Sequence, residues 1–178
     1  MTYINVFTID DLPQAQSLLR EAFWRPGKSE TFNEWTLARR VMNDAGYIPG
    51  LCLTAKEESA LCGYILLSRA GIADSEGLSL GPLAVRSSCQ RRGIGKALVR
   101  SALEKARDMG FEWVAVLGGS YYRQFGFIDA ADLGLVIGED HPENLFLKIF
   151  FLRDQTVSIR GAVLRYCAAF YDESGELL

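Results

Sequence analysis

The segment spanning residues 80–110 constrains this chain most, because an apolar strand, a glycine-rich turn and an amphipathic helix follow one another directly. Two glycines, Gly93 and Gly95, stand where the turn becomes the helix, and glycine permits close approaches that a Cβ would block. The first N–H groups of a helix lack intrahelical acceptors and, together with the helix dipole, attract anions. Three basic side chains lie at this turn and the start of the helix: Arg91, Arg92 and Lys96. We therefore predict a phosphate or pyrophosphate site here.

The spacing of the turn argues against two common phosphate-binding loops. A nucleotide-binding P-loop needs glycine five residues before the Gly-Lys pair and serine or threonine after it, but Gln90 and Ala97 stand there. A dinucleotide-binding turn needs a third small residue where Leu98 stands. A phosphate-binding ATPase or kinase is thus disfavoured. The remaining pattern is Gln-x-x-Gly-x-Gly after a strand. The alternative to a phosphate site at this position is an ordinary glycine-containing turn with surface arginines.

Composition predicts one soluble domain over residues 1–178, with a tail of uncertain order at about residues 153–178. Nearly half of the 178 residues are hydrophobic, which favours a folded core, and the net charge of −3 argues against nonspecific nucleic-acid binding. The four cysteines form no C-x-x-C pair and His141 is the single histidine, so we expect no metal site. No signal peptide or transmembrane run is evident, so we expect a cytoplasmic protein.

Hydrophobic periodicity predicts an α/β chain with a mixed sheet. Strands are expected at residues 3–8, 51–55, 61–68, 78–86, 111–117 and 145–152, with helices from about Asp11 to Phe23, over residues 31–42, and from Ile94 to Gly110. Residues 70–77 are predicted to form a loop. The strand that begins near Leu80 and ends at Arg86 contains Gly81-Pro82, which predicts a bulge because proline cannot donate to a ladder. The strand–helix–strand order predicts parallel strands with a ligand at their carboxyl ends.

Two motifs in this frame resemble the GNAT superfamily of N-acetyltransferases. The pattern Gln90-x-x-Gly93-x-Gly95 resembles the acetyl-CoA-binding motif of that family. After the next strand, Tyr122-x-x-x-Gly126-Phe127 is similar to a segment found in many of its members. The likeness covers roughly residues 3–151 and is most specific over residues 80–127.

The resemblance implies a GNAT-type acyl-CoA N-acyltransferase fold, with a mixed sheet of about seven strands flanked by helices. It also implies that the end of the bulged strand binds the pantetheine amides of acetyl-CoA, almost as an added strand. The implied cofactor-binding residues are Leu83, Ala84, Val85, Gln90, Arg91, Arg92, Gly93, Ile94, Gly95 and Lys96. Tyr122 is implied as the catalytic residue that protonates the leaving thiolate, with a tyrosine packed on the sheet as the alternative. Aromatic residues between Trp24 and Trp35 border the acceptor side or belong to the core.

A general base is missing from the sequence pattern. Many members of the family carry a glutamate on the bulged strand, where this chain has Ser79 and Gly81. Glu76 and Glu112 are predicted to be solvated surface charges, and His141 a loop residue. Cys89 lies beside the turn, but direct transfer from a thioester needs no cysteine nucleophile.

These observations support two function classes. The first is an acetyl-CoA-dependent N-acetyltransferase that transfers acetyl directly to a small-molecule or peptide amine, without metal, nucleic acid or membrane, as a monomer or homodimer. The second is a non-catalytic acyl-CoA-binding regulatory module, which the missing base favours and Tyr122 disfavours.

Overall fold

The computed structural model describes residues 1–27, 33–137, 146–154 and 159–178, and they form one mixed sheet with helices on both faces. The α-helices are α1 (Leu12–Phe23), α2 (Glu34–Met42) and α3 (Ile94–Asp108). The strands are β1 (Thr2–Val6), β2 (Tyr47–Glu57), β3 (Ala60–Ile72), β4 (Ser75–Val85), β5 (Trp113–Leu117), β6 (Ile128–Asp129), β7 (Val136–Ile137), β8 (Leu147–Phe151) and β9 (Val163–Tyr166). None of the helices formed by these residues is long and apolar enough to cross a membrane.

The sheet follows the order β1-β2-β3-β4-β5-β8-β6 along its main path, so the prediction of a mixed sheet of about seven strands is confirmed for that path. All pairs on it are antiparallel except β4 and β5, which are parallel and are joined through α3. Two further strands extend the described sheet, since β9 pairs with the end of β3 and β7 pairs with β9. The parallel pair places the carboxyl ends of β4 and β5 at the same edge.

Helices cover both faces of the central strands, which explains their almost uninterrupted apolar sequence. On β3, Tyr64 and Leu66 pack with α1 and α2, whereas Ile65 and Leu67 pack with α3 on the opposite face. Helix α3 contributes an apolar stripe of fully or nearly buried residues: Ile94, Leu98, Val99, Ala102 and Ala106. The stripe holds the start of α3, and with it the glycine-rich turn, against the sheet.

Strand β4 is bulged, as predicted, at Gly81-Pro82. Leu80 is paired with Leu67 of β3 and Leu83 with Ile65, so two residues of β4 oppose one residue of β3. Pairing with β5 covers only Leu78–Leu80 of β4 and stops where the bulge begins. Beyond the bulge, β4 continues beside β3 alone.

One prediction about a chain segment needs correction, and one strand was not predicted. Residues 70–77 do not form a loop, because β3 continues to Ile72 and β4 begins at Ser75, with a tight turn at Ala73 between them. The C-terminal region contributes β9, whose short sequence carries no strong alternating pattern and is stabilised by pairing with β3. Helix α2 begins after Asn33, whose side chain accepts a hydrogen bond from the Thr36 N–H at 2.9 Å, and residues 31 and 32 lie outside the described residues.

The packing of α3 predicts a large stability cost when Leu98 is truncated. Leu98 is 0% exposed, and Leu98→Ala removes buried methyl groups and leaves a cavity. We expect the free energy of unfolding to fall by about 2–5 kcal/mol, measured by urea denaturation. The matched control on the exposed side of the same helix, Glu104→Ala, should change it by less than about 0.5 kcal/mol. Equal losses in both variants would contradict the packing of α3 on the sheet.

Candidate active site

The glycine-rich turn forms a tight cradle at the start of α3. A short 3-10 helix, Ser87–Cys89, is followed by Arg91 and Gly93, both in the left-handed region with φ of 59° and 82°. For a non-glycine residue such as Arg91 this conformation costs on the order of 1 to 3 kcal/mol and persists only where its surroundings impose it. Helix α3 begins at Ile94 and presents its free N–H groups to the same concave space.

Glu21 of α1 holds the entrance to this turn. Its carboxylate accepts hydrogen bonds from the Ser87 hydroxyl at 2.6 Å and the Ser87 N–H at 2.9 Å, and it pairs with Arg86 at 2.9 Å. The Ser87 hydroxyl, above all, lowers the pKa of Glu21, so the carboxylate is ionised at neutral pH. No local sequence pattern indicates this role, because Glu21 and Ser87 lie 66 residues apart.

The end of β4 directs main-chain groups away from β3, beyond the point where its pairing with β5 ends. The Arg86 N–H donates to the Cys62 carbonyl at 2.8 Å, so alternation along the antiparallel ladder directs the N–H and C=O of Ala84 toward β3. The main-chain groups of Leu83 and Val85 therefore point to the opposite side, where β5 has already diverged. The Gln90 side-chain amide donates to the Val85 carbonyl at 3.1 Å and joins the turn to this strand end.

A cavity of about 390 Å³ lies between the strand end and the start of α3. Its lining comprises Leu83, Val85, Cys89, Gln90, Arg91, Gly93, Ile94, Gly95, Lys96 and Tyr121. Two predicted cofactor-binding residues are not part of this lining. Ala84 is buried on the opposite face, in the cluster with α1, and Arg92 is ion-paired with Glu57.

The two tyrosines after β5 lie in different surroundings. Both belong to the 3-10 helix Ser120–Phe125, which ends at Gly126 in the left-handed conformation. Tyr121 lines the cavity, and a Cβ built on Gly95 would lie 2.9 Å from its hydroxyl oxygen. Tyr122 is half-buried, and its ring lies directly over Gly118 and 5.6 Å from the centroid of Phe127. Burial raises the pKa of both phenols, so they stay protonated at neutral pH.

The charge at the cavity is positive, and no acidic side chain is among its described lining residues. Glu76 is ion-paired with Arg69 near the start of β4, and Glu112 accepts a hydrogen bond from the Ser75 hydroxyl at 2.8 Å. Both carboxylates therefore lie at the opposite ends of their strands from the cradle. His141 lies outside the described residues.

On the side where an acceptor is expected, the two tryptophans differ. Trp35 is 6% exposed and belongs to the core formed by α1, α2 and the sheet, whereas Trp24 is 51% exposed at the end of α1. Residues 28–32 between them lie outside the described residues, so the prediction for this segment stays open except at its two ends.

Comparison with known proteins agrees with this architecture. The model of the acetyltransferase (GNAT) family matches residues 10–127, more than half of the chain. The chain therefore belongs to the GNAT acetyltransferase family. It is 38% identical over 99 residues to the uncharacterized N-acetyltransferase YjhQ of Escherichia coli K12, an alignment that covers 53% of this chain but only 55% of YjhQ. It is 29% identical over 124 residues to the uncharacterized N-acetyltransferase YhbS of the same strain, covering 68% of this chain and 70% of YhbS.

Solved structures share the fold over nearly the whole chain. Escherichia coli YhbS in complex with CoA matches with a TM-score of 0.80 and 23% identity, over 95% of this chain and 91% of that chain. A GNAT family acetyltransferase from Brucella melitensis in complex with acetyl-CoA matches with a TM-score of 0.74 and 22% identity, over 96% and 98% of the two chains. These similarities confirm the predicted GNAT-type fold.

The contact between Tyr122 and Gly118 predicts different effects of alanine at two adjacent glycines. A Cβ at Gly118 would collide with the Tyr122 ring, whereas one at Gly119 would meet nothing within 4 Å. Gly118→Ala should lower the free energy of unfolding by about 1–3 kcal/mol through overpacking. Gly119→Ala should leave it within about 0.5 kcal/mol. Urea denaturation of both variants measures these changes. If Gly118→Ala were as stable as the wild type, the Tyr122 ring could not lie over Gly118 as described.

Proposed function

We propose that this protein is an acetyl-CoA-dependent N-acetyltransferase that transfers the acetyl group directly to a primary amine of a small molecule or peptide. The observation that carries the proposal is the cavity between the open edge of β4 and the N-terminus of α3. An extended ligand with amide groups at one end and phosphates at the other matches both walls of this cavity. Acetyl-CoA combines these two features.

The phosphate end of the ligand would lie at the start of α3. The N–H groups of Ile94, Gly95 and Lys96 belong to the first turn of a 15-residue helix and favour an anion. Arg91 and Lys96 line the same cavity and contribute positive charge. A Cβ on Gly93 would meet no protein atom within 4 Å, so this glycine leaves open space that a phosphate group can fill.

The pantetheine arm would lie along the end of β4. The main-chain groups of Leu83 and the N–H of Val85 face the gap left by β5, and pairing with ligand amides would satisfy them as an added strand does. Binding of CoA by YhbS and of acetyl-CoA by the Brucella melitensis acetyltransferase supports the same mode here, because both share this fold. The thioester would then lie near the carboxyl ends of β4 and β5.

Transfer would proceed by attack of a neutral amine on the thioester carbonyl. The C–N bond forms, the C–S bond breaks, the attacking nitrogen releases one proton and the departing thiolate takes one. We assign the proton that the thiolate takes to the Tyr122 hydroxyl, since the Tyr122 ring packs on Gly118, the residue that follows the end of β5. No acidic side chain is among the described lining residues, so the amine would bind already neutral or lose its first proton to water. Water would also take the proton that the nitrogen releases during transfer and return one to the Tyr122 phenolate.

A non-catalytic acyl-CoA-binding module is the second candidate, and the absence of a carboxylate from the described cavity lining favours it. Acetyl-CoA turnover with a panel of amines separates the two functions, because a module binds CoA without releasing thiol. We also propose a cytoplasmic location, since all four cysteines are free, as is usual in a reducing compartment.

The cradle predicts that Gly93→Val weakens CoA binding. Valine is strongly disfavoured at the φ of 82°, and its side chain would enter the space assigned to phosphate. We expect the dissociation constant for CoA, measured by isothermal titration calorimetry, to rise by roughly tenfold or more. Gly175→Val is the matched control, because Gly175 has a φ of 84° and equally open space outside the cavity lining. If Gly93→Val and the control bound CoA equally well, the phosphates would lie elsewhere.

The role of Tyr122 predicts a loss of turnover without a loss of binding. Tyr122→Phe keeps the ring over Gly118 and removes only the hydroxyl, so kcat should fall by about 10²–10⁴-fold, the usual contribution of general-acid catalysis. The dissociation constant for CoA should change by no more than a few fold. Tyr121→Phe is the control and should retain most of the kcat. If Tyr122→Phe turned over acetyl-CoA at the wild-type rate, the role of this tyrosine would be structural and not catalytic.

The raised pKa of Tyr122 also sets the direction of the pH dependence. A phenol with a pKa above its ordinary value of about 10 stays protonated through neutral pH, so kcat should not decline before the pH exceeds about 10. At lower pH, kcat/KM should rise with pH as the amine becomes neutral. If kcat declined as the pH rose toward 9, and the decline persisted in Tyr122→Phe, another group would have to protonate the leaving thiolate.

A further inference from the structure

Two buried cysteines, distant in sequence, meet beside the cradle. Cys62 lies on β3 and Cys89 ends the 3-10 helix that precedes the glycine-rich turn. Their sulfur atoms are 2.8 Å apart, and the residues are 3% and 6% exposed. Cys89 also lines the proposed CoA cavity. Neither thiol takes part in the proposed transfer.

A carboxylate completes the cluster. Glu57, at the end of β2, places a carboxylate oxygen so that this oxygen and the two sulfurs all lie within 4.8 Å of one another. Among the described residues, this is the one set of three histidine, cysteine or acidic side chains close enough to share a metal ion. The Glu57 carboxylate is held in place by the Thr2 hydroxyl, which donates to it at 2.6 Å, and by its ion pair with Arg92.

We propose that Glu57, Cys62 and Cys89 form a binding site for one thiophilic divalent cation of the Zn²⁺ type. Zinc binds thiolates at about 2.3 Å and carboxylates at about 2.0–2.2 Å, usually in tetrahedral geometry. Two thiolates at that distance lie about 3.8 Å apart, so the sulfurs must separate by roughly 1 Å from their present contact. Three protein ligands leave the fourth position to a water molecule.

The charges around the cluster match a divalent ion. Two thiolates and the Glu57 carboxylate carry three negative charges, and the Arg92 guanidinium carries one positive charge beside them. A divalent cation therefore brings the group to neutrality, which matters at a buried site because uncompensated charge is costly there. A carboxylate has lone pairs enough to bind the metal and to keep its hydrogen bonds to Thr2 and Arg92.

Ligation by two cysteines gives the site a pH dependence. Both cysteines are buried and neither forms a disulfide. The thiolate, and not the thiol, is the metal ligand. A metal ion therefore displaces the thiol protons on binding, and the affinity rises with pH.

A metal at this position would stabilise the cradle. It would join the end of β2, the core strand β3 and the 3-10 helix that leads to residues 90–96. Strands β2 and β3 are already paired in the sheet, so the metal would add a link between them and the 3-10 helix. This link would reinforce the ion pair of Arg92 with Glu57 and the hydrogen bond from the Arg86 N–H to the Cys62 carbonyl. The site would therefore be structural, and its occupancy is independent of whether the protein transfers acetyl groups.

The test is a Co²⁺ titration of the reduced, full-length protein without CoA, followed by absorption spectroscopy. We expect one equivalent of Co²⁺ to produce a thiolate-to-cobalt charge-transfer band and visible bands typical of tetrahedral coordination, and one equivalent of Zn²⁺ to abolish them. Cys62→Ser and Cys89→Ser should each weaken the charge-transfer band. Glu57→Gln should keep the band but lower the affinity by roughly tenfold or more. Cys167→Ser is the matched control, since Cys167 lies outside the cluster, and should titrate as the wild type does.

A second measurement needs no substitution. Zn²⁺ should raise the melting temperature of the wild-type protein by mass action, whereas Mg²⁺, which prefers oxygen ligands, should not. Equal effects of the two ions would overturn the thiolate site. So would a reduced, folded wild-type protein that shows no charge-transfer band, or a band that survives in Cys62→Ser and Cys89→Ser but disappears in Cys167→Ser. A wild-type protein that yields a Cys62–Cys89 disulfide instead of a Co²⁺ complex under mild air oxidation would also overturn it.

Discussion

The divergence of β4 from β5 is the constraint on which the rest of the site depends. Pairing between them ends at Leu80, because the next residues are Gly81-Pro82 and proline has no N–H to donate. The main-chain groups of Leu83 and the N–H of Val85 therefore have no partner strand in β5, whereas the Val85 carbonyl accepts a hydrogen bond from the Gln90 side chain. Unpaired backbone groups inside a protein are costly unless water or a ligand satisfies them. The sheet thus contains a gap that suits an extended ligand with amide groups.

The anion cradle depends on packing from both sides of the sheet. Helix α3 is fixed by its buried stripe, and the turn before it is held by Glu21 of α1, which binds Arg86 and Ser87. These contacts support the left-handed conformation of Arg91, which an isolated turn would not favour. Rigid placement of the turn matters because preorganised N–H groups bind an anion without further ordering cost.

The positive charge at the cavity is local and contrasts with the negative net charge of the chain. The chain has a net charge of −3, yet Arg91 and Lys96 line the cavity and no acidic side chain is among its described lining residues. Arg92 belongs to the same basic run but is ion-paired with Glu57, so its charge faces that carboxylate and not the cavity lining. Neighbouring residues of one basic run therefore have different partners.

The sequence by itself determined the features that depend on neighbouring residues. The glycine turn, the amphipathic α3 and the bulge at Gly81-Pro82 all follow from local backbone preferences and hydrophobic period. The same locality explains why most of the predicted cofactor-binding residues line one cavity, since residues 90–96 are contiguous. The strand β9 was missed because its stability comes from pairing with β3 and not from its own pattern.

Only the tertiary structure decided which distant side chains meet. It set Tyr121 on the cavity and Tyr122 over Gly118, although the two are adjacent in sequence. It pairs Arg92 with Glu57. It also brings Cys62 into contact with Cys89, a contact that no C-x-x-C spacing in the sequence indicates. It also places the Glu21 carboxylate against Arg86 and Ser87, before the glycine-rich turn. These contacts join residues from different strands and helices, so they exist only after the sheet has paired and both of its faces have been packed.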